Sequence, residues 1–124
     1  MKQILYVGIG SFAGGVLRYL ASQQFNQKIN AAFPWATLSI NLVGCLLIGV
    51  VYGCFEKELL NSDWKLFLAT GMCGGFTTFS AFSYESFELV KHGNVTAMLM
   101  YVISSICFGL LLTYFGYLIT KSSF

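Results

Sequence analysis

The groups in this chain that could handle a small solute are amides, hydroxyls and aromatic rings. Asn41, Thr77, Thr78, Ser80, Tyr101, Ser105 and Thr113 offer hydrogen-bond donors, Arg18 offers a cation, and Phe79 and Phe82 stand at i, i+3 on one helical face. All of them lie in apolar surroundings. No nucleophile is spaced to meet a base, no ligand set has metal-site spacing, and no phosphate loop follows a strand pattern. An enzyme is therefore not expected, whereas a narrow path for a small ion is.

Each of these residues has a plain reading beside the functional one. Polar groups buried in hydrocarbon need partners, so Asn41 either bonds a neighbouring helix or donates to something that passes. Arg18 either snorkels to the interface or sets positive charge beside an anion path. Phe79 and Phe82 either pack, or turn ring edges to an anion or faces to a cation. Tyr101, Ser105, Gly109 and Thr113 recur every four residues along one slowly rotating stripe, although hydroxyls in a span also bond back to their own helix.

Four long apolar segments carry these groups. The 124 residues are 56% hydrophobic and 10% charged, against about 25% charged in a soluble domain. So few charges cannot coat a water-facing surface. At about 20 residues per span, an all-α integral membrane protein of one domain, residues 1–124, is expected. The spans are placed at about 3–22, 34–55, 64–89 and 95–120. The first carries Arg18 and lacks a basic leader region, so it reads as a retained span rather than a signal peptide. Pro34 and Trp35 suit the start of the second. Gly10 with Gly14, and Gly49 with Gly53, form Gly-xxx-Gly pairs suited to close helix packing.

The third span is the unusual one. Gly71 to Ser83 reads GMCGGFTTFSAFS. Glycines release the backbone from helical angles, and a break is expected over residues 71–78. Interrupted spans at membrane depth mark ion or substrate sites. Glu85 lies near enough to the segment end for solvation to be its default, and His92 reads as a solvated surface residue. Cys45, Cys54, Cys73 and Cys107 make no Cys-x-x-Cys pair and read as small buried hydrophobes. A net charge of +2 without a Lys/Arg run is too small to argue for nucleic acid, and no nucleic-acid partner is expected.

Lys2, Lys57, Lys65 and Lys121 fall on one side and Lys28 and Lys91 on the other. Four against two is a weak bias under the positive-inside rule. It permits insertion in both orientations, and hence an antiparallel homodimer. Four short helices cannot enclose a pore alone, so an oligomer in the lipid bilayer is expected.

At these residues the sequence resembles the Fluc/CrcB fluoride ion channels. The matching stretches are Gly14 to Tyr19 (GGVLRY), Thr37 to Gly44 (TLSINLVG), and Gly71 to Ser83 followed by Glu85. The resemblance implies a dual-topology antiparallel homodimer with two fluoride pathways, each lined by both subunits. It implies passive export of cytoplasmic fluoride across the cell (inner) membrane. It also implies a structural Na⁺ at the dimer centre, held by backbone carbonyls at positions matching Gly74 and Thr77. Asn41, Phe79, Phe82, Tyr101, Ser105 and Thr113 match its pathway positions; Ser80 and Arg18 join them here from the donor and cation inventory.

Ala36, Gly15 and Gly109 depart from the family pattern, the last interrupting the hydroxyl track. Two other readings stay open at this point. A small proton-coupled four-span drug exporter would want a carboxylate deep in the first span, where none stands. A non-transporting assembly subunit would tolerate replacement of Asn41, Phe79 and Phe82.

Overall fold

The computed structural model describes residues 1–29 and 32–123. Two long helices come first, α1 (Lys2–Lys28) and α2 (Trp35–Glu56). The third span begins with a short helix, α3 (Ser62–Lys65), and continues as a π-helical stretch, Leu66–Cys73, and one turn, α4 (Gly74–Phe76). After a two-residue interruption it resumes as α5 (Phe79–Lys91). The last helix is α6 (Val95–Ser123).

Four helical stretches, Lys2–Lys28, Trp35–Glu56, Ser62–Lys91 and Val95–Ser123, are long and apolar enough to cross a membrane. The chain is a multi-pass membrane protein. Large side chains such as Ile4, Leu5 and Phe12 on α1 and Leu110, Leu111 and Phe115 on α6 are exposed. Apolar surface on this scale belongs in hydrocarbon.

Glycines set the helix packing. A Cβ on Gly10 would lie 2.9 Å from the Gly71 Cα, and one on Gly75 would lie 2.9 Å from the Ser11 Cα. Backbone cannot yield to such contacts, so α1 and the third span touch main chain to main chain. Gly49 and Gly116 do the same for α2 and α6, against the backbones of Thr113 and Leu46, while Gly53 leaves room for the Thr120 side chain. Lys2 pairs with Asp63 at 3.3 Å, and Lys57 donates to the Lys121 carbonyl at 2.8 Å. These contacts bring the N-terminus, the second connection and the C-terminus to one end. At the other end Gly93, at φ 77°, closes the turn between α5 and α6, a conformation glycine adopts at little cost.

Two boundaries differ from the sequence expectation. The first helix runs on to Lys28 rather than ending near residue 22. Gln23, Gln24, Gln27 and Lys28 are polar, but Gln and Lys are good helix formers. Polarity there marks where a helix leaves hydrocarbon, not where it stops. The break is also narrower than 71–78. Gly74 is helical (φ −62°, ψ −39°), and only Thr77 (ψ 157°) and Thr78 (φ −146°, ψ 115°) are extended. Gly71 and Gly75 serve close packing on α1 instead of freeing the backbone.

Candidate functional site

The break is held open from α2. Asn41 accepts from the Thr78 backbone N–H at 2.8 Å and donates its Nδ2 to the Thr78 carbonyl at 3.2 Å. One side-chain amide thus satisfies both main-chain groups of the residue that leaves the helix. Next along α2, Gly44 lacks a Cβ where one would clash with the Thr77 side chain. Thr78 then caps α5, its Oγ1 accepting from the Ala81 N–H at 3.2 Å, the usual work of threonine at a helix start.

These side-chain bonds release two carbonyls. In an unbroken helix the Gly74 carbonyl would accept from the N–H of Thr78, and the Thr77 carbonyl from that of Ala81. Asn41 takes the first donor and the Thr78 hydroxyl takes the second. The next carbonyl, of Gly75, accepts from Arg18 Nε at 3.1 Å. Among the described residues no hydrogen bond reaches the Gly74 or Thr77 carbonyl oxygen, and carbonyl oxygen is the ligand type that suits a hard cation. Among the described residues there is no cluster of three or more His, Cys, Asp or Glu able to hold a metal.

Beside the break lies a cavity of about 400 Å³ lined by Asn41, Thr77, Thr78, Phe79, Phe82 and Ser105, with Gly74, Cys45 and Cys73 also on its wall. Ser105 Oγ is buried and, among the described residues, has no hydrogen-bond partner. A stranded buried polar atom costs about 1–3 kcal/mol, so this hydroxyl is available to a ligand. The second Nδ2 hydrogen of Asn41 is likewise without a partner among the described residues. The Phe79 and Phe82 rings stand 5.7 Å apart, tilted by 39°. Phe82 leans on Tyr101 at 5.1 Å, while Phe79 is 79% exposed and meets little else of its own chain.

Not every expected residue reaches this cavity. Tyr101 is fully buried behind Phe82, and its hydroxyl donates to Glu85 Oε2 at 2.8 Å. Thr113 donates to the Cys45 and Gly109 carbonyls at 3.1 and 3.0 Å, so its proton is already used. Ser80 sits beside the Thr78 hydroxyl at 3.2 Å. Arg18 braces the break through Gly75.

Glu85 requires a correction. Solvation is not its main contact: Thr37 donates to its Oε1 at 2.6 Å and Tyr101 to its Oε2. It also lines two recesses at the end of the bundle that holds Pro34 and His92. The carboxylate therefore ties α2, α5 and α6 together. A single acidic residue eleven positions after Gly74 gives no such signal; its partners become visible only in three dimensions.

Residues 5–117 match the family described as CrcB-like protein, Camphor Resistance (CrcB). A protein of Flavobacterium psychrophilum named fluoride-specific ion channel FluC is 43% identical over 122 residues, covering 98% of each chain. Proteins of the same name from Leptospira interrogans and Thermus thermophilus are each 39% identical, covering 98% and 94% of this chain and 96% and 94% of their own.

Proposed function

The chain belongs to the CrcB family, and from that premise we propose that it is a fluoride-specific ion channel of the cell membrane, with its path at the Thr77–Thr78 break. The observation that carries this reading is the cavity holding the unpartnered Ser105 hydroxyl, the half-used Asn41 amide and the Phe79–Phe82 pair. Fluoride is small and strongly hydrated. A path for it must replace water with donors, and must bind weakly enough at several points for the ion to leave. Asn41 N–H and Ser105 O–H are such donors, and aromatic ring edges carry partial positive charge. No side chain on this wall is anionic.

The reading extends to an antiparallel homodimer with two pathways. Phe79 supports it, because this ring lines the cavity and is 79% exposed on its own chain, which leaves that side of the path open to a second copy. The weak lysine bias permits the opposed insertion that such a dimer requires. A Na⁺ ion fits the same picture: the Gly74 and Thr77 carbonyls of this chain would hold it, and two copies would double the oxygen set. Bound there, it would offset part of the cost of bringing an anion into low dielectric. Flux is then passive and leads outward when cytoplasmic fluoride is high.

A fluoride electrode reading efflux from vesicles containing the purified protein tests the transport claim. Replacing Na⁺ with a large organic cation in the same vesicles should lower the flux or loosen the dimer. Indifference to Na⁺ would remove the ion from Gly74 and Thr77.

A further inference from the structure

Two thiols stand in the wall of the cavity and take no part in the donor set. Cys45 comes from α2 and Cys73 from the last position of the π-helical stretch, and both line the cavity beside Asn41 and Ser105. Their backbones converge on Thr77. Gly44, just before Cys45, leaves room for the Thr77 side chain, and the Thr77 hydroxyl donates to the Cys73 carbonyl at 2.9 Å. Both cysteines are free, Cys73 buried and Cys45 half-buried. Cys54 and Cys107 are also free, but neither lines this cavity.

A thiol is a weak hydrogen-bond donor, so the pair adds little to fluoride passage. Its chemistry is that of a soft ligand. Thiolates select soft ions such as Cu(I), and two sulfurs satisfy a d¹⁰ ion that prefers linear coordination. We infer that Cys45 and Cys73 form a two-thiolate site for a soft, two-coordinate metal ion, and that an ion bound there closes the cavity to fluoride. With Hg²⁺ as the probe, each S–H releases its proton as a sulfur–mercury bond forms. The product is a neutral bis-thiolate with two protons released and no change of oxidation state. The site rests on the cavity wall that the two thiols share; the blocking effect rests on the transport reading.

The experiment uses the full chain carrying C54A and C107A, so that Cys45 and Cys73 are the remaining thiols. Titration with Hg²⁺, followed by ultraviolet sulfur–mercury absorption and a free-thiol reagent, is expected to end at one mercury per chain with no reactive thiol left. Two mercury ions per chain, a surviving thiol, or a mercury-bridged dimer on a denaturing gel would overturn the site. In vesicles, fluoride efflux is expected to fall with the same titration. C45A or C73A alone is expected to lose the block at the Hg²⁺ concentration that closes the parent, since one of the two soft ligands is gone. Equal sensitivity of either variant and the parent overturns the blocking role, and C45S and C73S, which keep side-chain size, repeat that comparison if an alanine variant misfolds. If no preparation passes fluoride before metal is added, the transport reading fails, and the binding stoichiometry still decides the site.

Discussion

Asn41 and Thr78, 37 residues apart in the chain, exchange two hydrogen bonds, and that exchange is what allows a membrane helix to stop and restart. Backbone groups in hydrocarbon must be paired. Here one amide of a cavity-lining residue meets both needs of a single extended residue and, among the described residues, keeps a spare N–H.

Asn41→Leu is expected to be costly in both stability and flux. It strands the Thr78 N–H and carbonyl, at about 1–3 kcal/mol for each group. Asn41→Asp keeps the acceptor for Thr78 N–H but loses the donor and adds negative charge to an anion path. Its fluoride efflux is expected to fall as far as that of the leucine variant, with a smaller drop in the thermal unfolding midpoint. Equal flux in Asn41→Asp and the parent would take Asn41 out of the path.

Ser105→Ala separates stability from function in the opposite direction. The hydroxyl has no partner among the described residues, so its removal is expected to leave stability unchanged or raise it by about 1–3 kcal/mol. Fluoride efflux is expected to fall at the same time. A loss of stability on thermal unfolding would mean that the hydroxyl is satisfied within the folded assembly and is not a free donor.

The two phenylalanines should divide along the same line. Phe79 is 79% exposed and Phe82 packs on Tyr101 at 5.1 Å. Phe79→Ile and Phe82→Ile are both expected to lower fluoride efflux while the proposed dimer still assembles. Only Phe82→Ile is expected to lower the unfolding midpoint of the chain in detergent appreciably.

Packing of α1 against the third span supplies a test that does not depend on transport. A Cβ on Gly75 meets Ser11 backbone at 2.9 Å, whereas one on Gly15 meets nothing within 4 Å. Gly75→Ala is expected to destabilise by about 1–3 kcal/mol through overpacking. Gly15→Ala is expected to be neutral or to stabilise by about 0.5–1 kcal/mol, since glycine is a poor residue in a helix interior. Thermal unfolding of the two variants side by side decides the matter.

Much of this is legible in the sequence. Hydropathy located the four spans, and Gly71 to Ser83 located the interruption, because hydrocarbon imposes a strong pattern on sequence. Asn41, Phe79, Phe82 and Ser105 do meet in one cavity. The role of the glycines was less legible. Gly71 and Gly75 signal a break and a close contact equally well, and only the positions of Gly10 and Ser11 choose between them. Donor availability was hidden for a similar reason. Tyr101 and Thr113 share a stripe with Ser105, yet Glu85 and the Cys45 carbonyl engage their protons. The Thr37–Glu85 bond joins residues 48 apart, beyond the reach of any helical period.

The central claim is that this break passes fluoride and discriminates against larger anions. Purified protein in vesicles under an imposed voltage measures it directly, with fluoride and chloride compared at equal gradients. Fluoride flux far above chloride flux, lowered by Phe79→Ile, is the expected result. Chloride flux comparable to fluoride flux would contradict it.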